Sequence, residues 1–349
     1  MNIAVLFGGK SSEHEVSRSS VCNVLNLLRD EKYTVYKIGI TKEGAWFLTD
    51  ASLEEIKNGS WEQHPSNEPA WILPDPSVKG LRTAGGKVLS VDVAAPILHG
   101  KNGEDGTVAA LFQLAGIPQI TTSMTSAANS MDKALTKLIC DKAGICQAEW
   151  LQVYSYELKD MAAVTERVEK ALPYPIFVKP ASAGSSVGIT KCHNRTELEA
   201  GLRLAAEHDF KIVLEETGIG KEIEVAVLGN RELIASLPGE ICPAAEFYSY
   251  DAKYNDEDSL LFIPARLEAE VLEQVRAEAL KVFRAMECNG YARVDFFVQA
   301  DGKIIFNELN TIPGFTDISM YPKLMEASGI GGKELMERLI DLAMEQGAQ

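Results

Sequence analysis

The sequence predicts an α/β protein of more than one domain, with an open parallel sheet at its start and a polar β-hairpin near its end. Three observations carry this expectation. The chain opens as strand, glycine turn and helix; its composition shifts near residue 122; and residues 293–310 read as two strands bearing an Arg, two carboxylates and an amide. With 349 residues the chain is too long for one ordinary core, so two or three domains are expected.

Composition narrows the partners. A hydrophobic fraction of 46% is that of a soluble globular protein. A formal charge of −16 opposes binding to nucleic acid or to an anionic membrane, whose phosphates it would repel. Any phosphate site must then be built from a few local cations. No apolar run reaches the ~18 residues of a membrane span, and residues 1–7 are too short and lack the basic flank of a signal peptide. A cytoplasmic location is the expectation. Cys22, Cys140, Cys146, Cys192, Cys242 and Cys288 include no C-x-x-C pair, so they read as small core residues, not as a disulfide or zinc framework.

Residues 2–7 are a continuous apolar run ending at Gly8-Gly9, and an apolar stripe follows at Val21, Val24, Leu25 and Leu28. This is the opening of a βαβ unit. Alternation over residues 33–40 supplies the next strand, and residues 91–98 another, ending at His99-Gly100. Open parallel sheets gather ligands at the carboxyl ends of their strands, where both glycine turns lie. The segment Gly8-Gly9-Lys10-Ser11-Ser12-Glu13 meets neither G-x-G-x-x-G nor G-x-x-x-x-G-K-[ST], so neither nucleotide signature is present. Residues 41–90, with Trp46, Trp61 and Trp71, read as an insertion of short strands and turns without chemistry. A lone His is usually structural, but His99 stands on a Gly-rich loop at a strand end, a better position for a ligand contact than for a core. A helix over residues 108–114 follows.

Residues 121–130 are small and polar, and a helix starts at Met131-Asp132-Lys133 and runs to residue 143. Strand 176–180 and a second strand from Ile189 are joined by the Gly-Ser loop 181–188. This loop lies between two strands, unlike a P-loop. Small residues nonetheless let backbone N–H groups approach phosphate oxygens, and Lys179 adds a point charge; a plain flexible turn is the alternative. Strand 213–216 ends on acids, where Glu215 or the backbone beside it can accept from an adenine amino group. Residues 247–254 are aromatic and aperiodic, hence a loop; residues 268–286 form a helix. Beyond the hairpin come a loop over 315–322 and a closing amphipathic helix over 334–344.

The hairpin turns at Ala300-Asp301-Gly302, and Asp-Gly between apolar runs is a strong turn signal. Arg293, Asp295 and Glu308 can be read as a strand-edge charge cluster. Asn310 favours another reading, because three side chains that offer oxygen suit hard Mg²⁺. Arg293 is then left free to face an anion. Carboxylates holding Mg²⁺ beside phosphates are a phosphoryl-transfer arrangement.

Together the stretches Phe7-Gly8-Gly9 with Ser12-Glu13-His14-Glu15-Val16-Ser17, His99-Gly100 with Gly103-Glu104-Asp105-Gly106, Met131-Asp132-Lys133, Val178-Lys179-Pro180 with Gly184-Ser185-Ser186-Val187-Gly188, Tyr250-Asp251-Ala252-Lys253-Tyr254, Arg293-Val294-Asp295, and Asn307-Glu308-Leu309-Asn310-Thr311 with Pro313-Gly314-Phe315-Thr316 resemble the D-alanine–D-alanine ligases of the ATP-grasp superfamily. The resemblance covers almost the whole chain. It implies an ATP-grasp fold with an N-terminal α/β domain (1–121), a central lid domain (122–218) and a C-terminal catalytic domain (219–349), with ATP between the last two.

The resemblance also implies roles. Lys133 and Lys179 hold the ATP phosphates beneath the loop 184–188 with Ser186, Glu215 meets the adenine, Glu222 the ribose, and Phe247 and Lys253 add nucleotide contacts. Asp295, Glu308 and Asn310 bind two Mg²⁺ (or Mn²⁺). Glu13 takes the ammonium of the first D-alanine with His99 near its carboxylate, and Ser185 and Tyr254 form a triad with Glu13. Arg293 and the N–H of Gly314 face the oxyanion as a second D-alanine attacks an acyl phosphate. Ser319 and Met320 line the second subsite, where apolar Met320 points to D-alanyl-D-alanine for peptidoglycan, with D-alanyl-D-serine as the alternative. A nucleotide-binding protein without catalysis and a ligase for an unrelated carboxylate are the rivals. Thr217 stands where some relatives have an aromatic, and only small residues separate Lys179 from Gly184. Family members are commonly homodimers through the N-terminal domain.

Overall fold

The computed structural model describes residues 1–184, 187–242, 260–316 and 318–347. Its first sheet is built around β1 (Asn2–Gly8), a strand buried along almost its whole length. Such a strand needs neighbours on both sides, and it pairs in parallel with β2 (Thr34–Ile40) and β7 (Val93–Pro96). Helix α1 (His14–Leu27) covers one face with Val21, Val24 and Leu25. At Gly8 the chain turns with φ +84°, and a Cβ there would collide with the carbonyl oxygen of Ile40.

The expected parallel strands form the core of this sheet, but the sheet as a whole is mixed. Residues 41–90 supply β3 (Trp46–Thr49), the short α2 (Leu53–Asn58), β4 (Glu68–Ile72), β5 (Gly80–Thr83) and β6 (Val88–Ser90). These strands extend the sheet antiparallel beyond β2, giving the mixed order β6-β5-β4-β3-β2-β1-β7. Trp61 of this segment is fully buried, edge-on to Phe7 at 5.0 Å between ring centres. Bare Gly39 beneath its ring leaves the room.

Helix α3 (Thr107–Leu114) follows the first sheet. Residues 121–130, read as merely small and polar, contain helix α4 (Met124–Met131), whose N-cap Ser123 accepts from Ser126 N–H at 3.2 Å. It escaped the periodicity argument because the face it buries is Ser126, Ala127 and Ser130, not an apolar stripe. Next come α5 (Lys133–Lys142), capped by Asp132, and a four-stranded sheet in the order β10-β9-β11-β8, formed by β8 (Trp150–Tyr154), β9 (Ile176–Pro180), β10 (Thr190–Cys192) and β11 (Lys211–Glu216). Helices α6 (Met161–Ala171) and α7 (Arg195–His208) cover it.

The third sheet comprises β12 (Lys221–Gly229), β13 (Leu233–Ala235), β14 (Gly239–Cys242), β15 (Leu260–Phe262), β16 (Tyr291–Val298) and β17 (Ile304–Asn310). Ile223, Val225, Val294 and Phe296 turn one face toward Val275, Ala279 and Phe283 of α8 (Ala269–Ala285). Helices α9 (Met320–Ala327) and α10 (Gly332–Gly347) place Tyr321, Leu324, Leu335 and Leu339 in one core with Ile3, Val5 and Phe7, so the first and third sheets are packed as a unit. Helix α9 begins inside the stretch 315–322 expected to be loop. All six cysteines are free; four are buried as expected, whereas Cys146 is exposed and Cys242 half-buried.

Candidate active site

Strand alternation collects the polar groups of the third sheet on one face. Glu222 and Glu224 on β12, Arg293 and Asp295 on β16, and Glu308 and Asn310 on β17 lie in register, with Asp295 opposite both Glu224 and Glu308 and Arg293 opposite Asn310. The register shifts just after Asp295, the kind of irregularity that re-aims a side chain.

Arg293 donates from Nε and Nη2 to the two oxygens of Asp295 at 2.8 and 2.7 Å, and its Nε lies 3.0 Å from Glu224 Oε2. Asn310 Nδ2 donates to Asp295 Oδ2 at 2.9 Å. The expectation of a free Arg293 is therefore corrected: two buried carboxylates grip it. Burial works against its charge, but Asp295 and Glu224 hold its pKa well above the ordinary value. Glu224 lay unremarked in the sequence, although it is two residues from Glu222 and hence on the same face.

Above this face lies a chamber of about 130 Å³ lined by Glu13, His99, Glu104, Lys133, Gly184, Arg293, Glu308, Asn310 and Gly314, among others. It is well below the ~300–1,000 Å³ of pockets that enclose drug-sized ligands, so it suits a small substrate. Its walls come from the ends of the first sheet, from α5, from the loop after β9 and from the hairpin. Glu13 is 6% exposed, and its carboxylate lies against the bare backbone of Gly100 and Gly184; a Cβ on Gly184 would fall 2.8 Å from Glu13 Oε2.

His99 is buried, and both ring nitrogens have protein partners: Nδ1 meets Ile312 O at 2.9 Å and Nε2 meets Ser20 Oγ at 3.0 Å. A carbonyl oxygen only accepts, so Nδ1 carries the proton and Nε2 accepts from the Ser20 hydroxyl. That hydroxyl in turn accepts from Phe315 N–H at 3.3 Å. Burial lowers the pKa of His99, against the opposing charge of Glu13 and the Ile312 hydrogen bond. Glu104, which the sequence offers only as part of a Gly-rich loop, also reaches the chamber and accepts from Gly100 N–H at 3.0 Å. Burial, then the charge of Glu13, pushes its carboxyl up to about 8.

Lys133, at the start of α5, reaches the chamber and donates to Ala183 O at 2.8 Å. Lys179 instead forms an ion pair with Glu215, whose other oxygen is 2.8 Å from Lys137 Nζ. Lys137 was missed in the sequence; its one signal is the four-residue spacing from Lys133 on the same helix. Glu222 is half-buried on β12.

Ser319 Oγ turns back to Thr316, accepting from its N–H at 3.0 Å, and lies where a Cβ on Gly314 would fall. Met320, expected to line the second subsite, is 6% exposed within the core and packs over Gly239. It is not among the described residues that line the chamber, because helix α9 turns its side chain inward toward Leu324 and the third sheet. Ser185, Ser186, Phe247, Lys253 and Tyr254 lie outside the described residues.

Asp295, Glu308 and Asn310 could hold a metal by oxygen alone; among the described residues no trio of His, Cys, Asp or Glu is arranged to do so. No described helix is long and apolar enough to cross a membrane.

Residues 2–122 match the family model described as D-ala D-ala ligase N-terminus, and residues 139–341 match D-ala D-ala ligase C-terminus. The chain is 45% identical to the D-alanine–D-alanine ligase of Acetivibrio thermocellus, over 99% of this chain and 96% of that one. Among solved structures it is similar to the VanG D-Ala:D-Ser ligase of Enterococcus faecalis, at 38% identity and TM-score 0.90, covering 98% of this chain and 99% of that chain. It is also similar to the D-alanine–D-alanine ligase of Coxiella burnetii, at 34% identity and TM-score 0.89, covering 100% and 95%. These solved neighbours have the ATP-grasp fold. With both family halves matched in order and nearly the full length of a relative covered, the chain belongs to the D-alanine–D-alanine ligase family.

Proposed function

We propose that this chain joins two D-alanines into D-alanyl-D-alanine at the expense of ATP, through a D-alanyl phosphate. The activity is the one for which the matched family and its curated relatives are named. The observation that carries it on this chain is the convergence of Glu13, Lys133, Arg293, Glu308, Asn310 and Gly314 on one small chamber. Its three domains are 1–121, 122–218 and 219–349, with ATP taken up between the second and third. Two copies pair through the N-terminal domain, and the enzyme works in the cytoplasm.

A carboxylate at neutral pH has no leaving group, so the first D-alanine must be activated. Its carboxylate oxygen attacks the γ-phosphorus of ATP, and ADP leaves. The second D-alanine, once its ammonium has lost a proton to solvent, attacks the acyl carbon through its neutral amine; the tetrahedral adduct expels phosphate, which carries off the second nitrogen proton, and the amide remains. Glu13 holds the ammonium of the first D-alanine, which orients its carboxylate toward the phosphates. Lys133 neutralises phosphate charge, and Lys179 adds a second cation when it releases Glu215. Asp295, Glu308 and Asn310 fit two Mg²⁺ or Mn²⁺ in kind, as two carboxylates opposed across neighbouring strands with an amide beside them. A cation held there stabilises the charge that builds on the phosphoryl oxygens during transfer.

Arg293 and the N–H of Gly314 face the tetrahedral oxyanion of the second step; losing one such donor costs about 3 kcal/mol. His99 acts by holding the loop that carries Gly314, through Ile312 and Ser20. Ser185 and Tyr254 close a triad with Glu13, while Glu222, Phe247, Ser186 and Lys253 meet the nucleotide. Excluding water protects the acyl phosphate from hydrolysis.

Phosphate release that requires ATP, Mg²⁺ and D-alanine together is the expected result; its absence from well-folded protein overturns the reading. D-Serine at the second subsite is the second reading, favoured by the likeness to a D-Ala:D-Ser ligase and by the burial of Met320 away from the chamber. Mass spectrometry of products from competing D-alanine, D-serine and D-lactate separates them. A dominant D-alanyl-D-serine peak decides for the second.

A further inference from the structure

Glu215 is a carboxylate held between two ammonium groups. One oxygen pairs with Lys179, and the other is 2.8 Å from Lys137 Nζ. The three side chains are 9%, 15% and 5% exposed for Glu215, Lys179 and Lys137. A buried trio of one anion and two cations carries a surplus positive charge, which is costly unless an anion arrives to compensate it. One lysine neutralises Glu215; the other is surplus.

The surroundings decide which lysine stays. Lys137 lies inside α5, with its backbone carbonyl held by Gln147 Nε2 at 2.8 Å. Lys179 is the more exposed of the two and stands at the end of β9, next to the glycine-bearing loop. Lys133, one helical turn before Lys137, already reaches that loop at Ala183 and lines the chamber. Lys179 is therefore on the side from which a phosphate would come, and Lys137 is on the inner side.

We infer that Lys137 is a positioning residue of the nucleotide site: it is the standing counter-ion that fixes the Glu215 carboxylate as acceptor for a purine amino group while Lys179 leaves Glu215 for a phosphate. The inference rests on the ATP reading above and adds the residue that makes the exchange of partners possible. With Lys137 present, departure of Lys179 leaves a one-to-one ion pair. Without it, the same departure strands a bare carboxylate in a site nearly closed to water, so Lys179 stays where it is. The electrostatics agree. Burial pushes the Glu215 carboxyl up, but the charges and hydrogen bonds of Lys137 and Lys179 outweigh it and bring it down to about 2.

A purely structural clamp between α5 and β11 would affect stability alone. The discriminating measurement is binding of ADP against inosine diphosphate, whose 6-oxo group cannot donate to a carboxylate. Calorimetric titrations use the full chain as wild type, Lys137→Met, Lys137→Arg and Glu215→Gln, with thermal unfolding to verify the fold. Wild type should prefer ADP by about tenfold or more, the worth of one hydrogen bond to a charged group. Lys137→Met should weaken ADP by about tenfold and lose most of that preference, Glu215→Gln should lose it too, and Lys137→Arg should restore it. Folded Lys137→Met with the wild-type ratio overturns the inference and leaves the ATP reading intact. Wild type that binds no ADP overturns the ATP reading, and this inference with it. If Lys137→Met does not fold, Lys137→Gln is read in the same way.

Discussion

Replacing Gly184 by Ala displaces the Glu13 carboxylate, the group proposed to hold the ammonium of the first D-alanine, while leaving the fold nearly alone. The added Cβ would fall 2.8 Å from Glu13 Oε2, where ordinary contact begins at 3.4 Å, so one of the two must yield by about half an ångström. The backbone at Gly184 is not in the left-handed region, and among the described residues no backbone atom beyond its chain neighbours is as near to the new methyl as that carboxylate oxygen. Glu13, 6% exposed, cannot move out into water and must swing within the chamber. A hydrogen bond to a charged group contributes ~1.5–3 kcal/mol, and displacing its acceptor by this much should forfeit about 1–2 kcal/mol, roughly 5–30-fold in D-alanine affinity at the first subsite. Fold stability should change by less than about 1 kcal/mol, since Gly to Ala at a permissive position costs little. The assay is ADP release against D-alanine concentration, resolved into the two subsites, with ADP binding as control and Glu13→Gln as the reference loss. Unchanged D-alanine affinity in Gly184→Ala, beside a clear loss in Glu13→Gln, would refute the reasoning. Gly100→Ala is the contrasting variant: it meets Glu13 as well but at φ +70°, so it should also lose stability.

Arg293→Lys should lower kcat at least about a hundredfold and cost about 3 kcal/mol in urea unfolding, because one ammonium cannot satisfy Asp295 and Glu224 together as the guanidinium does. His99 has its pKa lowered by burial, so the unfolded chain takes up a proton first as pH falls below about 6.5. The stability it supplies is complete above that pH and drains away below it, so the stability gap between wild type and His99→Gln should shrink between pH 7.5 and 5.5 in denaturant titrations. Glu104 is the opposite case: a carboxyl raised from 4.5 to about 8 leaves the folded state holding a proton the unfolded chain has lost, and that penalty grows from about pH 5 to 8 and then levels. Glu104→Gln keeps the acceptor for Gly100 N–H, so its stability relative to wild type should rise over that window; a flat difference would contradict the placement of Glu104 among acids.

Where sequence reading succeeded, the signal was local. The buried strand Asn2–Gly8 follows from its continuous apolar run, and the Asp-Gly turn and the polar face of the hairpin follow from turn chemistry and period-two alternation; none of these signals needs a distant partner. Helix α4 was missed because Ser126, Ala127 and Ser130 leave no apolar periodicity, and burial between neighbours does the work that a stripe would otherwise do. Residues 41–90 were recognised as short strands, but not that they prolong the first sheet antiparallel, since pairing partners are chosen across the fold.

The sequence by itself determined the family, the α/β character and the polar set of Glu13, Lys133, Arg293, Asp295, Glu308 and Asn310, because each belongs to a motif whose spacing encodes its own backbone geometry. Only the tertiary structure decided what those groups hold. Arg293 is gripped by Glu224 from β12, Lys179 shares Glu215 with Lys137 from α5, His99 ties Ser20 to the loop of Gly314, and Met320 is folded into the core. The physical reason is common to all of them. A buried charge or ring nitrogen must take whatever partner the packing brings within hydrogen-bond reach, and that partner comes from a different strand or helix, remote in the chain and invisible to spacing.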